Sequence, residues 1–435
     1  MFKAGFARVD ITPPFGTYIP GYFEPRYSKG ILDPLYLNVL AYSDGTATNL
    51  VMVCDMLGMA TDQATIIREL VSRETGVPMK AVYVTALHQH TAFALRPGAM
   101  PDDAFMDVLR RKFRDAAKVA IDDLKDAEVF TGTRETPVEL SFVRRYRMKD
   151  GKTATNPGIN NPLTIDHVRP ADNTVRFVRF RRSGGKDIAL VNFTTHPDTV
   201  GGELYTADWP GFVRTYVEKD LPDVHCIALN GAQGDVNHVD YLKPAKPWQL
   251  YGYPSRYEYT RKMGKVIAGV VVDLCQGELQ KHPEGRLFAE AVEVTTPTNR
   301  TGEDKLDEAL ALMKDHDENG GKYTIEQLGN ARRIINLSKT PLTLDIPVAV
   351  QGFSDIAFVG FGGEPFTEYG EQMRAAAPGS FVLATCLTNG SMGYLPTKEA
   401  FDEGGYEARS SRFTGSLPSD LLGAAKELFK KYDVK

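Results

Sequence analysis

The stretch Ala81-Val82-Tyr83-Val84-Thr85-Ala86-Leu87-His88-Gln89-His90-Thr91 decides the architecture. Its first half, Ala81–Thr85, is a short run of β-branched and aromatic residues, the composition of a buried strand. Its second half turns polar and carries two histidines. If the chain stays extended beyond the strand, side chains alternate with a period of two, and His88 and His90 project to one side. Two imidazoles so placed bind a metal together, or divide into one ligand and one acid/base group.

The same grammar recurs outward from this segment. Strand-like runs lie at Leu50–Val53, Ile188–Thr194, Val224–Leu229, Ile356–Phe361 and Phe381–Leu387, with helical patterns between several of them. Thr61 or Asp62 caps a helix reaching Val71 before Gly76. Asp102 or Asp103 opens a longer one through Leu124, and Ser419 caps a last one over Leu421–Tyr432, with Lys430 and Lys431 at its negative end. The expectation is an α/β fold with a mixed β-sheet core flanked by helices, a single catalytic unit over residues 1–435.

Polar, glycine-punctuated turns follow the strands. His196 lies in Asn192-Phe193-Thr194-Thr195-His196-Pro197, Glu364 in Gly362-Gly363-Glu364-Pro365, and two more turns run Gly231–His238 and Asn389–Pro396. Ligands of open α/β sheets bind outside the carboxyl ends of strands, so the active site is expected there. His88, His196 and Glu364 make a two-histidine, one-carboxylate set with positions left for water and substrate, which suits catalytic zinc. The glycine-rich turns match neither a dinucleotide fingerprint nor a phosphate-binding loop of Walker type.

Composition narrows the partners. Of 435 residues, 42% are hydrophobic and 25% charged, and 51 Lys+Arg against 56 Asp+Glu leave a net charge of −5. No cationic footprint for nucleic acid is present, and a small-molecule substrate is expected instead. The longest apolar stretch, Val266 to Val272, falls far below the roughly 20 residues that cross a bilayer. The first residues show no basic region followed by an apolar one, so a cytoplasmic location is expected. Cys54, Cys226, Cys275 and Cys386 are dispersed and read as reduced thiols. Leu140–Thr174, with Arg144, Arg145 and Arg147, reads as a long functional loop, and Asp208 as the cap of a helix that Pro210 starts. The aromatic excursion Tyr241–Tyr259 reads as an ordered lid, a homo-oligomer surface, or a surface loop packed by its own rings.

These motifs, in this order, resemble the neutral/alkaline ceramidase family, specifically its zinc-dependent N-terminal catalytic domain. The similarity runs from Ala4-Gly5-Phe6-Ala7-Arg8-Val9-Asp10-Ile11-Thr12-Pro13-Pro14, which resembles the family's opening strand and turn, to Tyr394–Tyr406. The resemblance implies that His88, His196, Glu364 and Tyr394 hold zinc, and that His90, Arg144 and Tyr406 act on the substrate. A tyrosine ligand is tolerable because a phenol beside a dication sheds its proton readily. Where the family carries a serine, in G-D-x-S, this chain has Asn237, followed by His238. An amide cannot be a nucleophile, so Asn237 or His238 is expected to hold substrate or the oxyanion while water attacks. The chain also ends at Lys435, short of the family's immunoglobulin-like domain, and Phe93-Ala94-Leu95-Arg96 replaces small residues after the histidines. The expected function is therefore zinc-dependent hydrolysis of an amide, ester or lactone of a small soluble molecule. The alternatives are an intracellular ceramidase and a non-catalytic metal- or ligand-binding relative.

Overall fold

The computed structural model describes residues 1–22, 24–244, 255–300, 303–320 and 322–435. Residues 245–254, the middle of the aromatic excursion, lie outside them, and the reading of that excursion with them. Two β-sheets are stacked face to face with helices on both outer sides. The larger sheet runs in the order Val224–Asn230, Asp187–Phe193, Thr174–Arg182, Lys125–Glu135, Lys3–Asp10, Tyr36–Ser43, Thr48–Cys54, Val82–Ala86, with Gln280–His282 paired to Lys125–Glu135. The smaller runs Leu287–Pro297, Thr343–Phe353, Ile356–Phe361, Phe381–Thr385.

The mixed β-sheet core flanked by helices expected from the sequence is present, and it is divided between two sheets. In the strand Tyr36–Ser43, Leu37, Val39 and Ala41 face helices Thr61–Thr75 and Asp103–Asp122, while Leu40 and Tyr42 face Phe353 and Phe358 of the second sheet. Strands covered on both faces read as continuous apolar runs, without the polar alternation that would mark a solvent side. Helices Asp208–Asp220 and Ser255–Gln276 cover the other half of the large sheet, through Trp209, Val213, Met263 and Ile267. Helices Thr367–Ala376 and Leu417–Lys431 cover the small one.

Local chemistry set some boundaries differently from expectation. The first long helix starts after Ala60 with no side-chain cap, whereas Asp102 caps the second by accepting from the Phe105 amide at 2.9 Å. The last helix begins at Leu417, earlier than expected, and Ser419 donates to the Ser416 carbonyl within its first turn instead of capping it. Leu140–Thr174 is ordered into a three-stranded sheet of Thr153–Thr155, Arg145–Met148 and Thr164–His167. All four cysteines are free. No helix among the described residues is long and apolar enough to cross a membrane.

Among the described residues, three strand pairs in the two main sheets are parallel: Thr48–Cys54 with Val82–Ala86, Asp187–Phe193 with Val224–Asn230, and Ile356–Phe361 with Phe381–Thr385. Their carboxyl ends meet. The sheets are tied there, where the Asn389 amide donates to the Val84 carbonyl at 2.8 Å and Val84 donates to the Asn389 side chain at 3.1 Å. The approach is close enough to require Gly360, because a Cβ on it would stand 2.2 Å from the Tyr83 hydroxyl.

A buried ion pair stiffens the same region. Asp55, fully buried, accepts two hydrogen bonds from Arg214, one from the Tyr36 amide at 2.8 Å and one from Gln89 at 2.9 Å. Gln89 separates the two histidines of the opening motif. Asp55→Ala leaves a buried guanidinium unpaired and should cost about 3–5 kcal/mol in denaturant unfolding. A loss below about 1 kcal/mol would show that the pair does not support the fold.

Candidate metal centre

His88 and His90 do come together, but not through an extended strand. The strand ends at Ala86, and His88 has a left-handed backbone with φ of 76°. Such a conformation costs a non-glycine residue about 1–3 kcal/mol and persists only where its surroundings enforce it. Here the His88 amide is tied to the Met56 carbonyl at 2.9 Å and the His90 amide to the Pro197 carbonyl at 3.0 Å. The turn brings Nε2 of His90 to 3.3 Å from Nε2 of His88.

His196 enters from the end of Asp187–Phe193, and Glu364 from just past Ile356–Phe361. Glu364 Oε2 is 3.2 Å from His88 Nε2 and 3.4 Å from His196 Nε2. The ring nitrogens of His88, His90 and His196 all lie within 4.8 Å of one another. Two donors bonded to one zinc at about 2.0–2.1 Å and disposed tetrahedrally stand about 3.3 Å apart. The spacings of Glu364 to His88 and His196 are those of a ligand shell, and His90 stands at the same spacing from His88.

Proton placement fits a metal too. His88 Nδ1 is 2.7 Å from the Leu57 carbonyl and His196 Nδ1 is 2.9 Å from the Gln233 carbonyl. A carbonyl only accepts, so each Nδ1 carries the proton and each Nε2 of a neutral ring turns a lone pair to the centre. His196 Nε2 and Glu364 Oε2 are buried without a hydrogen-bond partner. Unsatisfied atoms of this kind are expensive unless something else satisfies them. Burial lowers the pKa of His196, with Arg144 adding to it, and burial with the neighbouring His88 lowers that of His90. Burial opposes ionisation of Glu364, but the His88 and His196 rings outweigh it and hold the carboxyl well below its ordinary range. The group could bind a metal ion: His88, His196 and Glu364 supply two imidazoles and a carboxylate as donors, and His90 stands alongside as a further ligand or as a free imidazole.

Glu364 and Tyr394 are paired in parallel register, Glu364–Pro365 against Tyr394–Leu395. A glycine makes room behind them: a Cβ on Gly234 would meet the Glu364 carbonyl at 2.3 Å. Burial, reinforced by Glu364, pushes the Tyr394 phenol well up, while Arg144 opposes it. Arg144 lies over the Tyr394 ring at 5.4 Å, donates to Glu407 at 2.7 Å and to the Gly234 carbonyl at 2.9 Å. Arg145 lies over Phe366 and donates to Glu403 at 2.8 Å, with Glu407 3.9 Å away. Tyr406 stands edge-on to Tyr394 with ring centroids 5.7 Å apart and is 40% exposed.

Two expected residues are engaged in local contacts. The Asn237 oxygen accepts from the Val239 amide at 3.0 Å and its nitrogen donates to Asn156 at 3.0 Å. His238 Nδ1 is 3.1 Å from Asp198. Asp208 is not a helix cap. It has φ of 51° and binds the Thr199 amide at 3.0 Å, the Thr199 hydroxyl at 2.5 Å and the Trp209 amide at 2.6 Å, fastening the loop behind His196, with burial raising its pKa to about 6. The sequence reading missed Glu407, although it adjoins Tyr406, and Asp198, two residues beyond His196.

Two solved structures share this fold. A neutral ceramidase from Pseudomonas aeruginosa superposes with a TM-score of 0.70 over 98% of this chain and 73% of its own, at 15% identity. A ceramidase complexed with C2 superposes with a TM-score of 0.71 over 100% of this chain and 76% of its own, also at 15% identity. No family model matches the sequence, and no curated protein matches it.

If these donors form one metal shell, His196→Ala should abolish stoichiometric zinc uptake in a calorimetric titration of the metal-free protein, with the fold retained by circular dichroism. Undiminished uptake by that variant would exclude His196 as a ligand.

Proposed function

We propose that the protein is a zinc-dependent hydrolase of the neutral ceramidase type that cleaves an amide, or an ester or lactone, of a small soluble substrate. The observation that carries this reading is the buried convergence of His88, His196 and Glu364 with unsatisfied donor atoms aimed at one point. Support comes from the fold shared with two ceramidases. His88, His196 and Glu364 would hold the ion and Tyr394 would complete the shell. Bound zinc supplies a Lewis acid for the carbonyl and lowers the pKa of water to about 7.

The remaining steps fall to this chain's own side chains. Hydrolysis adds water across the carbonyl–nitrogen bond, so the attacking water loses a proton and the departing amine gains one. We assign that transfer to Nε2 of His90, which burial keeps neutral and therefore able to accept. Arg144, locked by Glu407 and the Gly234 carbonyl, is a preorganised cation for the oxygen on which negative charge develops. Tyr406, partly open to solvent, offers a phenol at the rim to orient the substrate. Asn237 supplies no nucleophile, and water attack requires none. With both ends of its amide engaged it acts on loop geometry, and substrate contact falls to His238.

Chelation should abolish turnover of an N-acyl substrate and zinc should restore it. Arg144→Met should lower kcat by about 10²–10³-fold while zinc content stays at one per chain. Turnover that survives chelation, or an Arg144→Met enzyme of full activity, would refute the mechanism.

A further inference from the structure

Several buried arginines in this protein are matched by carboxylates. Arg144 has Glu407, Arg214 has Asp55, and Arg176 has Asp172. Buried Arg68 instead spends its guanidinium on the Val82 and Met79 carbonyls, away from the histidines, whereas buried Arg26 and half-buried Arg256 lack a carboxylate on the histidine side of the molecule. Arg26 is 8% exposed and donates only to carbonyls, of Gly202 at 2.9 Å, Pro20 at 3.0 Å and His90 at 2.7 Å. Its guanidinium lies 4.3 Å from the ring centroid of Tyr22, whose ring in turn lies 5.1 Å from that of His90. Arg256 makes no ion pair among the described residues. The Nε atoms of both arginines are buried without a hydrogen-bond partner.

Geometry puts Arg256 on the metal side of the molecule. A Cβ added at Gly201, five residues past His196, would stand 3.9 Å from Tyr22 and 4.0 Å from Arg256 Nη1. The guanidinium and the phenol therefore flank one gap, and nothing on Gly201 fills it. Arg256 also acts electrostatically on both Tyr22 and Tyr241, two rings that feel Asp198 of the histidine loop. Asp198 does not neutralise it, because its carboxylate is taken by His238 at 3.1 Å.

A partly desolvated guanidinium with no counter-charge among the described residues is costly to maintain, and it creates a positive potential beside Tyr22 and Gly201. An anionic group with two or three oxygens satisfies it through parallel N–H···O bonds, which neutral amides and hydroxyls do not match. We propose that the site takes amides bearing an anionic oxygen group, a carboxylate or a phosphate, and that Arg256 recognises it. This rests on the hydrolase reading above and narrows its substrate class. It also separates this chain from an enzyme for uncharged lipid amides, for which an unpaired arginine on the histidine side of the molecule would be a liability.

The test uses the zinc-loaded full chain and three N-acetyl compounds: N-acetylglycine, N-acetylethanolamine phosphate and neutral N-acetylglycinamide. The wild type should favour at least one anionic compound over the neutral one by about tenfold or more in kcat/KM, a preference that shrinks with added salt. R256Q should collapse that ratio to within about twofold, and R256K should keep part of it. The faster of the two anionic compounds identifies carboxylate or phosphate as the source. Equal ratios in wild type and R256Q would overturn the proposal while leaving the hydrolase intact. If none of the three is hydrolysed, calorimetric binding of the two anionic compounds decides. Affinity that R256Q weakens about tenfold keeps the anion site and counts against the hydrolase, and affinity unchanged by R256Q overturns the anion site.

Discussion

The architecture of the site follows from holding lone pairs of buried imidazole and carboxylate groups at one point. His88 Nε2, His196 Nε2 and Glu364 Oε2 stand within 3.2–3.4 Å of one another along the Glu364 edges. Left alone, that arrangement is unfavourable, because His196 Nε2 and Glu364 Oε2 are buried without a hydrogen-bond partner. Its persistence requires a frame that over-determines each side chain, and the frame is visible. Main-chain carbonyls of Leu57 and Gln233 fix two ring orientations, and the left-handed backbone at His88 is pinned by neighbouring loops.

The two stacked sheets are the means by which residues far apart in the chain reach this point. Each of the three parallel strand pairs delivers one loop or two from its carboxyl ends. The ties between Val84 and Asn389 join the sheets at that end, so the large sheet's histidines and the small sheet's glutamate share one rigid base. Around it, Arg144 and Glu407 form a buried pair at 2.7 Å that fixes a cation against Tyr394. A buried pair of this kind adds little net stability, and its value lies in fixing geometry.

Much of this was legible in the sequence, and the parts that were not have physical reasons. Apolar runs located strands such as Ile356–Phe361 because burial on both faces needs nothing more subtle. The same double burial hid the division into two sheets, since Leu37 and Leu40 look alike whether they face a helix or a strand. His88 and His90 were found by spacing, but their meeting depends on a turn at His88, not on strand alternation. Glu407, Asp198 and Arg256 went unread because their meaning lies in contacts across long sequence distances, or, for Arg256, in the lack of one. The carbonyls that orient the rings carry no side-chain signature at all.

X-ray absorption at the zinc edge of the metal-loaded protein measures the central claim most directly. The expected result is one zinc per chain with nitrogen and oxygen neighbours at about 2.0–2.1 Å, at least two of them imidazoles. A shell containing sulfur at about 2.3 Å, or one built of water and carboxylate oxygens without imidazole scattering, would contradict it.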